Sequence, residues 1–211
     1  MSESFFPAVP DRPYDDDDYL PPFDFPQWMG PPWHYQPGIV HETRELGRSD
    51  STVILLDGFQ CFEHGFLLRL MVRINDLGRQ ARLRTYAYLE RAHGRDYLDE
   101  RFAPDGLRWG IQYSDGRKAT TQDESPYPDD GDIDNAKVHG PVIAGDSRPV
   151  IFMDSWSREF WVWPTPSEGL LHIAVEWPGR GIAETITTLD AGTLRAAALR
   201  ARPLWPTADD G

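Results

Sequence analysis

Residues 66–74 read FLLRLMVRI, and this stretch decides the fold because apolar side chains recur at every second position. Successive side chains of a β-strand point to opposite faces of the sheet. One face can therefore be buried, while Arg69 and Arg73 on the other face meet water. The buried face would consist of Phe66, Leu68, Leu70, Val72 and Ile74. The alternation predicts a strand over 66–74.

The preceding stretch TVILLDGFQCF, residues 52–62, predicts a second strand with a kink at Gly58. A glycine inside a strand pattern often marks an irregularity in the pairing. Residues 63–65, EHG, leave room only for a tight connection between the two strands. We therefore expect an antiparallel hairpin.

Similar patterns continue downstream. In LRWGIQYSDGRKA, residues 107–119, an alternating strand leads into Asp115–Gly116, a favoured pair for a hairpin turn. The stretch EWPGRGIAET, residues 176–185, predicts another tight reversal at the sheet edge, because it contains Pro178 and two glycines. Further strands are predicted over 149–153, 158–163, 170–177 and 183–189.

Helical character is predicted near the end of the chain. Asp190 can cap a helix that begins there, and Pro203 would end it. Residues 80–102 fit helix and strand patterns equally well, so both remain open. Short strands joined by hairpin turns and followed by one terminal helix are typical of an antiparallel β-sandwich, here of seven or eight strands.

Domain organisation follows from composition. Residues 1–38 contain 9 of the 19 prolines, which disfavours regular structure, and they form an arm. Residues 1–26 are predicted to be disordered. Residues 27–38 carry apolar side chains that could pack on the body as a strap or dock on another protein, namely Trp28, Trp33 and Tyr35. Residues 39–205 form one predicted domain, and 206–211 a disordered tail.

The net charge of −13 is concentrated in two segments. The arm contains seven acidic side chains against Arg12, including Asp15, Asp16, Asp17 and Asp18. A second acidic run at 123–134 includes Asp130, Asp132 and Asp134. Acidic segments repel phosphate, and a basic stripe is missing from the sequence, so nucleic acid is excluded as the main partner.

The second acidic run superficially resembles a calcium-binding loop. If Asp130, Asp132 and Asp134 were the first ligands, the sixth position would be Asn135 instead of glycine, and the twelfth Pro141 instead of glutamate. The helix–loop–helix calcium motif is therefore rejected. A looser cation site remains an alternative to a solvated acidic loop.

Motifs of catalysis are missing from the sequence. The six histidines lack the spacing of a zinc motif, and neither G-x-S-x-G nor a phosphate-binding G-x-x-x-x-G-K occurs. The single cysteine, Cys61, is interpreted as a buried thiol. We therefore predict no cofactor and no metal.

The sequence lacks an apolar run long enough to span a membrane. It also lacks a secretory signal. We therefore expect a cytoplasmic protein.

Tryptophans at 161 and 163 offer two interpretations. In REFWVW, residues 158–163, Phe160 and Val162 share one face of the strand, and Trp161 and Trp163 share the other. A strand that is apolar on both faces is usually covered on both. The alternative is that Trp161 and Trp163 form an exposed platform for a carbohydrate or another small ligand.

Four stretches together resemble a family of uncharacterised bacterial proteins from high-GC genomes. They are EHGFLLRLMVRI, LRWGIQYSDGRKAT, FWVWPTPSEGLLHIAVEWPGRGIAET and AAALRARPLW. The resemblance covers roughly residues 50–205 and departs from the family pattern at TPSEG and at the acidic run. It implies a fold type but no activity and no catalytic residue.

These observations favour a non-enzymatic protein-interaction module, with the acidic arm or the acidic run as the docking feature. A ligand-binding sandwich and an enzyme of unknown class are the alternatives. We also expect that exposed sheet edges could join two copies of the chain.

Overall fold

The computed structural model describes residues 26–76, 78–93, 103–123, 138–145, 148–152 and 154–205. Two helices and twelve strands lie within these residues. The strands are β1 (Tyr35–Gln36), β2 (Gly38–Arg48), β3 (Thr52–Cys61), β4 (Phe66–Ile74), β5 (Arg108–Tyr113), β6 (Lys118–Thr120), β7 (Val142–Gly145), β8 (Val150–Phe152), β9 (Ser155–Trp163), β10 (Leu170–Trp177), β11 (Ile182–Asp190) and β12 (Arg202–Pro203). The helices are α1 (Arg79–Ala92) and α2 (Ala191–Ala198).

The strands form two antiparallel sheets and a short ribbon. The large sheet has the order β2-β3-β4-β9, and both β7 and β8 pair with the free side of β9. The small sheet has the order β11-β10-β5-β6. Strands β1 and β12 pair only with each other among the described residues. The predicted mainly β, antiparallel fold is confirmed, but the count of seven or eight strands was too low.

A single apolar core lies between the two sheets. The large sheet contributes alternate residues such as Leu56, Leu70 and Phe160, and the small sheet contributes Ile111 and Ile173. The face predicted for 66–74 is fully buried, while Arg69 and Arg73 are exposed. Period-two alternation on facing sheets therefore produces the core of a sandwich.

The predicted turns are present. Strands β3 and β4 form the expected hairpin, and their register shifts between Leu56 and Phe59, where Gly58 has a φ of 87°. Gly116 has a φ of 89° in the turn between β5 and β6. Both conformations favour glycine because it has no Cβ.

Strand β2 was missed by the sequence analysis. It pairs with β3 at the margin of the large sheet and also contacts the small sheet. The Thr185 hydroxyl of β11 donates to the Leu46 carbonyl of β2, and the Gly47 backbone lies against Val175 and Ile182. This margin of the sandwich is therefore closed by contacts between the two sheets.

Arg180 also ties the two sheets together. This residue follows β10 in the predicted tight reversal, where Gly181 has a φ of 69°. Its guanidinium donates to Thr52 Oγ1 at 2.8 Å and to Asp76 Oδ1 at 2.5 Å. The hydrogen bond from Arg180 lowers the pKa of Asp76. The reversal is thereby anchored to the large sheet.

Helix α2 is shorter than predicted. Asp190 caps it as expected, since its carboxylate accepts from the Gly192 amide at 2.8 Å. The helix ends at Ala198 instead of near Pro203, because Arg202 and Pro203 pair with β1. The guanidinium of Arg200 donates to the Ala196 carbonyl at 3.0 Å, an interaction that satisfies a carbonyl of the last turn.

Helix α1 resolves the ambiguity of residues 80–102 for the part that the structure describes. Residues 79–92 are helical, and Tyr86, Leu89 and Ala92 are buried along one side. Their spacing of three residues matches a helix face. The remainder of that stretch, 94–102, lies outside the described residues.

Cys61 is buried at the end of β3, and burial raises the pKa of its thiol to about 12. The nucleophile in alkylation is the thiolate, so a pKa that is raised from 9.0 lowers the reactive fraction at pH 8 by about a thousandfold. We expect native protein to react with iodoacetamide at least that much more slowly than protein unfolded in urea. Equal rates in the two states, followed by mass spectrometry, would contradict the buried position.

Candidate functional site

The two faces of β9 have different coverings. Phe160 and Val162 belong to the core between the sheets, whereas Trp161 belongs to a second apolar cluster on the outer face. This outer cluster also contains Phe62, Leu67 and Ala144, with Tyr35 and Trp163 packed against it. The prediction that both faces of this strand are covered is therefore confirmed.

The arm covers the outer face. A turn at the beginning of its described part is closed by a hydrogen bond from the Met29 amide to the Pro26 carbonyl at 2.9 Å. Trp28 in this turn is only 3% exposed. The Trp161 indole N–H donates to the Gln27 carbonyl at 3.0 Å. The same tryptophan therefore fills the outer cluster and fixes the arm to the sheet.

A ribbon of two strands fixes the other end of the arm. Tyr35 pairs with Pro203, and Gln36 pairs with Arg202. The Arg202 side chain donates to Gln36 Oε1 at 2.9 Å. Next to the ribbon, the Trp33 and Trp205 rings lie 5.7 Å apart between centroids. The arm is thus held against residues 202–205, which follow α2.

The arm and the turn between β3 and β4 enclose a pocket of about 280 Å³, which we call the arm pocket. Its walls are mostly aromatic rings, prolines and histidines, with one carboxylate. The residues that line it are Gln27, Gly30, Pro31, Pro32, Trp33, His34, Tyr35, Glu63, His64 and Trp161. Trp161 is fully buried, so it supports the pocket from beneath instead of presenting a ring.

The Glu63 carboxylate and the His64 imidazole of the pocket come from the tight turn at 62–65. The Phe62 amide donates to the Gly65 carbonyl at 2.9 Å, and the Thr165 amide donates to the His64 carbonyl at 3.1 Å. A Cβ at Gly65 would overlap the Trp161 ring, so only glycine allows this close approach. The turn is therefore held in place while the Glu63 side chain stays 79% exposed.

A carboxylate beside exposed aromatic rings is an arrangement that recognises cations. Trp33 is 54% exposed, and the His34 ring packs edge-on against it with centroids 5.5 Å apart. A guanidinium or ammonium group is attracted both by the face of an aromatic ring and by a nearby carboxylate.

The structure places the candidate residues predicted from the sequence in different environments. Trp33 and Tyr35 line the arm pocket, whereas Trp28, also in the arm, is buried. Trp161 is buried and Trp163 is half-buried, so the pair does not form an exposed platform. The acidic candidates Asp15, Asp16, Asp17, Asp18, Asp130, Asp132 and Asp134 lie outside the described residues.

Sequence analysis missed Glu63 and His64 because an exposed polar pair in a tight turn carries no distinctive pattern. It also missed that two polar side chains, Arg158 and His93, are buried inside the sandwich next to Phe160. Arg158 donates to the Glu90 carbonyl at 3.3 Å and so links β9 to α1. An arginine that alternates with apolar residues in a strand is normally expected to face water.

Elsewhere in the described ranges, His, Cys, Asp and Glu side chains form no group of three or more that could hold a metal ion. Neither of the described helices is long and apolar enough to cross a membrane.

An antiparallel two-sheet sandwich with an aromatic pocket beneath an N-terminal arm is therefore the class of structure that this chain defines. Comparison with known proteins finds no matching family model, no matching curated protein and no matching solved structure.

Proposed function

We propose that this chain is a non-enzymatic protein-interaction module, and that its arm pocket receives a basic side chain from a segment of another protein. The observation that carries the proposal is the exposed Trp33 ring in the same pocket as the Glu63 carboxylate. The pocket is already formed, which lowers the entropic cost of binding. Its place of action would be the cytoplasm.

The charge of the whole chain supports a basic partner. A net charge of −13 attracts positively charged segments and raises their rate of encounter. Lysine and arginine side chains also have apolar stems that can pack against prolines and rings such as Pro31, Pro32 and Trp33 while the charged end reaches Glu63. The acidic charge and the aromatic pocket therefore favour the same kind of partner.

Carbohydrate binding has less support. Trp161 is buried, and the exposed rings of Trp33 and Trp205 are tilted by 53° to each other. Two rings at this angle present no common flat surface for the face of a sugar.

Fluorescence anisotropy with two short labelled peptides tests the proposal. One peptide alternates arginine with serine, and its matched control replaces each arginine with glutamate. We expect the full chain to bind the arginine peptide only, with an affinity that falls as salt is raised. Trp33→Ala should weaken binding about threefold to tenfold, because the ring face that attracts the cation is lost.

The matched pair Glu63→Gln and Glu184→Gln separates the pocket from general charge. Both substitutions remove one exposed carboxylate, but only Glu63 lines the arm pocket. Glu63→Gln should weaken binding, and Glu184→Gln should leave it nearly unchanged. Equal effects of the two substitutions, or equal binding of the two peptides, would show that the pocket is not the binding site.

A further inference from the structure

Two histidines lie in the wall of the arm pocket. His34 belongs to the arm and His64 to the turn between β3 and β4, and both line the same pocket of about 280 Å³. Histidine is the side chain whose charge ordinarily changes between about pH 5 and about pH 8. The charge of the pocket wall can therefore change in a range of pH where arginine, lysine and most carboxylates keep their charge.

His64 is placed to compete for the carboxylate of the pocket. Its Nε2 lies 3.8 Å from Glu63 Oε2, and the His64 side chain is 46% exposed. This contact becomes an ion pair only when the imidazole is protonated. A protonated His64 then partly neutralises the Glu63 carboxylate, which is the group proposed to attract the basic side chain of a partner.

His34 is placed beside the exposed ring of the pocket. Its ring packs edge-on against Trp33 and Tyr35, with centroid distances of 5.5 Å and 4.9 Å. The residue is half-buried, and its carbonyl accepts a hydrogen bond from the Leu204 amide at 2.9 Å, so its backbone is held in place. A positive charge on this ring would repel a second cation at the face of Trp33.

The other charges around the pocket keep their sign over the same range of pH. Besides the two histidines, the lining contains the Glu63 carboxylate and the Tyr35 phenol as titratable groups. Glutamate is ionised above about pH 5, and tyrosine is uncharged below about pH 9. Arg202 lies next to the pocket in the ribbon, opposite Gln36, and arginine is always charged. The two histidines are thus the lining groups that change charge in this range.

We propose that the arm pocket is a pH-dependent site, which binds a basic side chain when His34 and His64 are neutral and releases it when they are protonated. The inference rests on the proposed function, because it concerns the same pocket and the same class of partner. Affinity should fall as pH falls, since the two added charges have the same sign as the bound side chain. By linkage, binding of the cation should favour the neutral imidazoles and release protons.

Fluorescence anisotropy with the labelled arginine peptide tests the inference on the full chain. The dissociation constant is measured at about pH 8 and at about pH 5.5, at one ionic strength. The affinity of the wild-type chain should fall about fivefold to twentyfold between these values, as expected for charges a few ångströms from the bound cation. Isothermal titration calorimetry at about pH 6.5, in two buffers of different ionisation enthalpy, should show net release of protons on binding.

Histidine variants identify the groups that titrate. His34→Gln, His64→Gln and the double substitution keep polar side chains but remove the change of charge. Each single variant should lose part of the pH effect, and the double variant should keep less than about twofold of it. The control His172→Gln removes a histidine that contacts Thr188 on the small sheet, outside the pocket, and should keep the wild-type ratio of affinities.

Each variant is compared with itself at the two pH values, so a change in affinity that is common to both cancels. If the double variant binds too weakly to measure, the two single variants provide the same comparison. Circular dichroism at both pH values checks that every variant is folded.

Two results would overturn the inference. One is a wild-type affinity that changes less than about twofold between the two pH values. The other is a full pH effect in the double variant, or in both single variants. These outcomes leave the proposed function intact, because the peptide still binds at the higher pH. An arginine peptide that does not bind at the higher pH would instead contradict the proposed function, and the inference with it.

Discussion

Replacing Trp161 with alanine should lower the free energy of unfolding by about 3–5 kcal/mol, as for other large buried aromatic residues. Trp161 is fully buried among Phe62, Leu67 and Ala144, so truncation leaves a cavity in the outer cluster. The Gln27 carbonyl also loses the indole donor that fixes the arm to the sheet. Urea denaturation followed by circular dichroism measures the change.

Two further variants separate packing from anchoring. Trp161→Phe keeps most of the apolar volume but removes the indole N–H, and we expect it to cost about 1–2 kcal/mol. Trp33→Ala removes a more exposed ring and should cost less than about 1 kcal/mol. If Trp161→Ala cost no more than Trp33→Ala, the outer cluster would not be a second core.

Gly38→Ala is the second substitution with a large expected effect. Gly38 is the first residue of β2, and a Cβ there would overlap the backbone carbonyl of Ala197 in α2. A backbone carbonyl cannot move aside as a flexible side chain can, so β2 and α2 must separate. Overpacking of this kind costs about 2–3 kcal/mol. Thermal and urea unfolding should both show the loss.

Gly78→Ala provides the matched control. Gly78 precedes α1 with a φ of −59°, and a Cβ there meets no atom within 4 Å. Any residue type adopts this conformation, so the expected change is less than about 1 kcal/mol. Similar losses for Gly38→Ala and Gly78→Ala would rule out the close contact between β2 and α2.

Most of the sandwich could be predicted because its central strands alternate strictly. Each of 66–74 and 170–177 has one fully apolar face, and hairpin pairs such as β3–β4 follow from short turns. The pairs β4–β9 and β5–β10 join strands that are distant in sequence, and they were not predicted. Strand β2 was missed because IVHETRELGR alternates only in part. It lies at a sheet margin and contains two register shifts, so its side chains do not keep one constant face.

The arm pocket could be predicted only in part. Trp33 and Tyr35 were candidates for an interaction site, because aromatic residues in a proline-rich arm exceed what a linker requires. Glu63 and His64 join them only through tertiary structure, when the arm crosses the turn between β3 and β4. Contacts between residues that are distant in sequence leave no periodic signal, and this limits what sequence patterns can reveal about the site.

The ribbon of β1 and β12 couples residues 202–205 to the arm pocket. Gln36 and Arg202 are 166 positions apart, yet they hold each other in place. The Leu204 amide also donates to the His34 carbonyl at 2.9 Å, and His34 is itself a pocket residue between Trp33 and Tyr35 in the chain. Ribbons this short open locally at far lower free energy than the whole fold. Whatever pulls 202–205 away therefore releases Trp33, His34 and Tyr35 together, and the shape of the pocket is governed from a segment that does not line it.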